Sequence, residues 1–546
     1  MKHWTLLSIL LVGCSSAAHQ VAAEPSDAPP QIDDVAVQDS GPRQGERTDG
    51  GQVQDGDLQN DSSNAFIDGG GSEEQAPSGP PVVATDITIS EIALFQGVKV
   101  PLMKNGAAVK STYAPVVAGR PGLLRVYVKP SPSFRQRELT AELVLTNLSG
   151  TSIRQVKMIV TKSTLESELD SSMNFTIAAE DLPQGSSLFK VRLLGAPYVG
   201  TEPPAQYPAD TSNAVLETAG SGKLRVVLVP VRYDADGSGR LPDTSASTVE
   251  QYRTAFFEAY PVTGVDVTVR SAMPWSGTIS ADKTGWNEVL QQVAALRAQD
   301  NPSSDTYYMG IFSPAGSFST YCASGCVAGL APLLTSASDV NYRAGVAIGY
   351  SNDAYALAAS LRAAVHEAGH LHGRSHVGNA GTNPRCGTPS TIDAAFPYGG
   401  DGSIGSWGYG ILGKQLYDPS MYTDFMGYCS DNWISDYTYG ALLTRVQSVV
   451  PLTKSISLRG GEYRFVQISA EGNLRWGPTV DLPSVPTNNP TTVRATGSNG
   501  QIRNITGYYY SYGDDEGASM LVRKSDVNGM GLEIDYRGIT RSLGAQ

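Results

Sequence analysis

From residue 85 onward the chain reads as short runs in which apolar and polar positions alternate, broken by Gly, Pro and Asn. Alternation with period two marks half-buried strands. It runs through 87–95, and apolar or β-branched stretches follow at 123–128, 143–148 and 156–161. Such runs predict a β-sandwich-like domain over 85–219. The texture changes at Lys223. Residues 224–231 form a continuous apolar run, as in a strand buried on both faces, and 265–269, 306–312 and 345–349 also read as strands. Between them, 248–259 is helix-like, and 286–298 sets Val289, Leu290, Val293 and Leu296 at helical spacing. Strands alternating with helices predict an α/β-type layer over 220–451. Beyond Pro451, strand-like runs return at 455–458, 463–468 and 519–523. Gly460-Gly461 and Asn499-Gly500 read as hairpin turns. This predicts a C-terminal β-domain over 452–546.

Candidate chemistry is concentrated in one place. Of six histidines, His3 and His19 lie near the N-terminus, and the other four fall within eleven residues, His366-Glu367-Ala368-Gly369-His370-Leu371-His372-Gly373-Arg374-Ser375-His376. The run 354–371 is Ala-rich, Pro-free and helical in character. On a helix, His366 and His370 stand one turn apart on one face. Two imidazoles so placed reach one tetrahedral Zn²⁺ at about 2.0–2.1 Å. Glu367, turned about 100° from His366, sits beside such an ion without ligating it. Gly373 can end the helix with positive φ, so that the chain turns back and His376 supplies a third nitrogen. His372 faces elsewhere and is expected to be exposed or to support the site from outside.

The spacing HExxHxxGxxH resembles that of the metzincin zinc endopeptidases. The resemblance rests on 355–376 and on Asp424-Phe425-Met426-Gly427-Tyr428-Cys429, which is similar to the family's Met-turn. It implies that His366, His370 and His376 hold one catalytic Zn²⁺, that Glu367 is the general base, and that Met426 forms a floor under the metal. It also implies that Tyr428 ligates at rest and then stabilises the oxyanion. Val377 follows His376 where several metzincin families have a polar, acidic or Pro residue, which leaves the subfamily open. The fold class expected on this basis is multidomain α+β. A metzincin-like catalytic domain over 220–451, with a mixed sheet and an active-site helix, would be flanked by β-sandwich-like domains.

The remaining signals concern place and scaffold. An apolar run at 6–12 behind Lys2 is too short to span a bilayer and ends in Leu11-Val12-Gly13-Cys14. This is similar to a bacterial lipoprotein signal peptide over 1–13, with Cys14 as the lipidated residue. Ser15 in the next position suggests, by that resemblance, the outer membrane of a Gram-negative cell. Residues 14–84 are rich in Gly, Ser, Pro, Asp and Gln and read as a disordered acidic tether. Between residues 20 and 85 there are thirteen acidic residues and two arginines, a net −11 of the chain's −13. The rest is nearly neutral, so the charge says little about a substrate, and its sign excludes a nucleic-acid binder. Of the other four cysteines, an exported chain is expected to make two disulfides, for which three pairings exist. Cys322–Cys326 and Cys386–Cys429 is the pairing that would brace the segment after His376. Asp234 to Gly239 resembles the opening of a Ca²⁺ loop but has Ser245 where an EF-hand has Glu, so it reads as a plain turn with weak support for Ca²⁺.

Together these features point to a lipid-anchored zinc endopeptidase acting on proteins or glycoproteins. The alternative is a lipid-anchored adhesin or glycan-binding protein with a vestigial protease domain. Glu367 separates the two, because a scaffold that only holds metal has no need of a base.

Overall fold

The computed structural model describes residues 79–198, 200–378, 392–429, 431–449, 459–513 and 517–545. The signal peptide expected at 1–13, Cys14, most of the tether expected at 14–84, Cys386 and the strand expected at 455–458 lie outside the described residues. Within them, four large sheets of six or seven strands organise the fold.

The alternating runs at the start form two largely antiparallel sheets. The first follows the order Val116–Val117, Ala214–Ala219, Gly185–Gly195, Arg137–Asn147 and Gly150–Val160. The second runs Gln415–Tyr417, Gly408–Gly410, Gly97–Lys104, Ile87–Phe95, Gly122–Pro130 and Met173–Ile177. Inner-face residues of both, such as Ile87, Ile92, Val126, Leu139, Leu143 and Val191, belong to one hydrophobic core.

The third sheet carries the site. Lys223–Tyr233 lies between Gly264–Val269 and Thr306–Phe312, both parallel to it, and Ala344–Ile348 extends the parallel array. The short strand Gly329–Leu330 closes that edge antiparallel to Ala344–Ile348. Every residue of Thr306–Phe312 is buried, as expected for a strand covered on both faces. The helices are α1 (Ala246–Ala259), α2 (Trp286–Asp300), α3 (Phe318–Tyr321), α4 (Ala354–Leu371), α5 (Asp436–Ser448) and α6 (Lys524–Val527). The fourth sheet is antiparallel, in the order Leu474–Ser484, Arg459–Ile468, Ala518–Arg523, Ile502–Ser511, Pro490–Gly497, Met530–Tyr536 and Ile539–Leu543. One side of it joins the main core through Tyr463, Phe465, Tyr510 and Leu521. Val466, Ile468, Val493, Met520 and Leu532 fill a separate core on the other side.

This balance corrects the expected fold class. Among the described residues the protein is mostly β, with 42% strand and 17% helix, and not an α+β metzincin-like architecture. The strand-like runs are fragments of much longer strands: 143–148 and 156–161 lie in or overlap the 11-residue strands Arg137–Asn147 and Gly150–Val160. Two of the six helices, α3 and α6, have only 4 residues each. Gly460-Gly461 is not a turn but lies within Arg459–Ile468, where a Cβ on Gly460 would overlap the carbonyl of Leu482 on the neighbouring strand. Asn499-Gly500 does form a turn, with Gly500 at φ 76°.

Candidate metal centre

α4 forms because its residues favour it and its ends are capped. Alanine dominates its first turns, and the Asp353 carboxylate accepts the Ala356 N–H at 2.7 Å. At the other end the Gly373 N–H donates to His370 O and the Arg374 N–H to Gly369 O, both at 2.9 Å. This is a Schellman stop, and Gly373 takes the left-handed conformation it requires, at φ 79°. The reversal brings His376 back towards the helix. There the Val377 N–H donates to Met426 O at 3.1 Å and the Asp393 N–H to His376 O at 2.8 Å, pinning the returning chain on two sides.

His366, His370 and His376 come together, each offering one ligand atom within 4.8 Å of the others. Nε2 of His366 stands 3.2 Å from Nε2 of His376. Nδ1 of His366 faces the Phe425 carbonyl at 2.8 Å, and Nδ1 of His370 faces that of Arg374 at 2.7 Å. A carbonyl oxygen only accepts, so in both rings Nδ1 carries a proton and Nε2 is the nitrogen able to act as a ligand. Imidazoles oriented this way by backbone carbonyls are the donor set that Zn²⁺ and related divalent ions take. His370 and His376 are fully buried and His366 is 9% exposed.

Glu367, the next residue on α4, is 2% exposed. Its carboxyl lies against Gly329 on the sheet edge, where a Cβ would overlap it. Tyr428 is 41% exposed, with its ring centroid 4.8 Å from that of His376 and 6.0 Å from that of His366. Met426 is fully buried and packs on α4 at Gly369, between His366 and His370. His372 is not part of the group. It is buried, stacked on Tyr307 at 4.4 Å with its Nδ1 towards Ala368 O at 2.7 Å, and burial pushes its pKa down to about 3.

Three supporting residues escape the sequence pattern. Asp424 is fully buried, and its carboxylate accepts from the Met426 N–H at 2.8 Å, from the Ser435 N–H at 3.0 Å and from the Ser435 hydroxyl. It thereby ties the turn under the triad to the N-terminus of α5, which Ser435 caps. Its one readable signal is a carboxylate inside an otherwise aromatic and apolar turn. Gly369 and Gly329 give no signal at all without their partners, Met426 and Glu367.

Elsewhere, Cys322 and Cys326 form a disulfide, and Cys429 is disulfide-bonded. The Asp234–Gly239 segment is a turn whose carboxylates pair with arginines, Asp234 with Arg232 and Asp236 with Arg240. Among the described residues, no helix is long and apolar enough to cross a membrane. No family model matches the chain, and no curated protein matches it significantly.

Proposed function

We propose that the protein is a zinc-dependent endopeptidase that hydrolyses peptide bonds of extracellular or envelope proteins and glycoproteins. In this reading it is held at the outer membrane of a Gram-negative cell by lipid on Cys14. The observation that supports the catalytic part is the convergence of His366, His370 and His376, whose ligand atoms lie within 4.8 Å of one another, with Nδ1 of His366 and His370 turned to Phe425 O and Arg374 O and with Glu367 next to His366 on the helix. His366, His370 and His376 would hold a divalent ion, which when bound would supply Lewis acidity, lowering the pKa of water towards about 7 and polarising a carbonyl. Glu367 takes the proton of the attacking water and passes it to the departing amine. Its buried position against Gly329 keeps the carboxylate away from bulk solvent. The Tyr428 hydroxyl, on a partly exposed ring beside His376, donates to the developing oxyanion.

The test uses the purified full chain, with zinc quantified by mass spectrometry and cleavage read on a proteome-derived peptide library. Glu367→Gln is expected to retain one zinc and to lose cleavage by about 10²–10⁴-fold, the span of a general base. Wild-type protein that holds stoichiometric metal yet cleaves nothing would support the adhesin reading instead.

A further inference from the structure

The fourth sheet reaches the metal centre. At the end of strand Ile502–Ser511 the chain runs antiparallel to Ala331–Leu333, which continues the edge strand Gly329–Leu330 of the third sheet. Leu333 N–H donates to Ser511 O at 2.8 Å, Gly513 N–H donates to Ala331 O at 3.4 Å, and Pro332 bridges Tyr512 between them. One residue further, the Leu334 N–H donates to His370 O at 3.1 Å. The C-terminal sheet is thus joined to the edge of the third sheet within two residues of a contact with α4.

Gly513 then lies directly on the His370 imidazole. A Cβ there would stand 2.6 Å from Nδ1 and closer still to Cε1 and Nε2, so any side chain would displace the ring. The contact complements the one to Arg374. A hydrogen bond from Nδ1 sets where that nitrogen points but leaves the ring free to tilt about it, and the χ2 well of histidine is broad. A backbone packed on the ring removes the tilt. The wall is itself fixed. Buried Asp339 accepts from Tyr510 Oη at 2.7 Å and from the N–H groups of Thr487 and Asn488, both at 3.0 Å. Gln291 on α2 donates to Ser519 Oγ at 3.2 Å and accepts from Gln467 at 2.9 Å.

We infer that Gly513 is a positioning residue for the metal ligand His370, so that the C-terminal sheet is a structural part of the metal centre. This rests on the triad binding a divalent ion. The test compares the full-length wild type with Gly513→Val, Gly513→Ala and the control Gly544→Ala, which is in the same C-terminal region where a Cβ meets nothing within 4 Å. Zinc affinity is measured by competition with a chromophoric chelator, and geometry by the visible absorption of the Co²⁺-loaded protein. Circular dichroism of the metal-free chain checks folding. Gly513→Val is expected to weaken zinc binding about 10–100-fold, the usual cost of losing a ligand's outer support, and to alter the cobalt spectrum. Gly513→Ala should do both to a smaller degree, and Gly544→Ala neither. Should Gly513→Val fail to fold, Gly513→Ala carries the test. A folded Gly513 variant with wild-type affinity and an unchanged cobalt spectrum overturns the inference. A wild type that binds neither ion instead overturns the metal-centre reading beneath it.

Discussion

A glycine between His366 and His370 is a poor choice for a helix, costing about 1 kcal/mol relative to alanine. Gly369 is retained in α4 at that cost because Met426 Sδ occupies the space a Cβ would need. Gly369→Ala is therefore expected to destabilise the protein by about 1–3 kcal/mol, overpacking outweighing the gain in propensity. Chemical denaturation of the single variant and of Gly369→Ala/Met426→Ala measures it, and the second substitution should recover part of the loss. At this scale the sequence was readable wherever spacing along the chain equals spacing in space. His366 and His370 on one face, Glu367 beside them and Gly373 at the stop are all local facts. His372 shared that locality, yet its burial against Tyr307 depends on a distant strand. Gly329 and Gly369 were silent for the same reason, since each is defined by a side chain it makes room for.

Between residues and the whole stands the segment from Thr423 to Trp433. Its carbonyls at 425 and 426 accept from His366 Nδ1 and from Val377 N–H, so it holds the ring of His366 and the backbone beside His376. Asp424 organises this turn from inside. Asp424→Ala would leave the N–H groups of Met426 and Ser435 without their acceptor in a buried place, each worth about 1–3 kcal/mol. A fall in stability of about 2–4 kcal/mol by urea titration is expected, together with weaker zinc binding. A variant with unchanged midpoint and affinity would remove Asp424 from this role. Strands were legible as elements because alternation is a local pattern, but their ends were not. The run at 143–148 continues back to Arg137 through residues whose pairing with Gly150–Val160, not their own hydropathy, keeps them extended. Gly460-Gly461 was misread because a glycine pair marks a close strand crossing as readily as a turn. The helix α5 passed unnoticed although Ser435 and Thr438 carry its cap.

At the scale of the molecule the expected class failed on proportion. The helices α1, α2 and α4 lie where the sequence placed them and α5 was missed, but the sheets around them are longer and more numerous than scattered runs suggest, and the described part of the protein is mostly β. The metal, if bound as proposed, is a whole-molecule variable. It joins α4, the returning chain at His376 and the turn at Met426, and a ligand that binds only the folded state adds stability by mass action, about 4 kcal/mol at a thousandfold excess over Kd. Chelation is therefore expected to lower the melting temperature and stoichiometric zinc to restore it, as followed by calorimetry. An unchanged transition would count against a metal site formed by the fold.

The antiparallel join between Ala331–Leu333 and Ser511–Gly513 sets a limit on dissection of this chain. A fragment cut at residue 451, where the hydropathy texture shifts, would keep every histidine of the triad and still not hold the triad as the whole chain does. It would bare a strand border built to be covered, an invitation to self-association, and it would strip the backing from one imidazole.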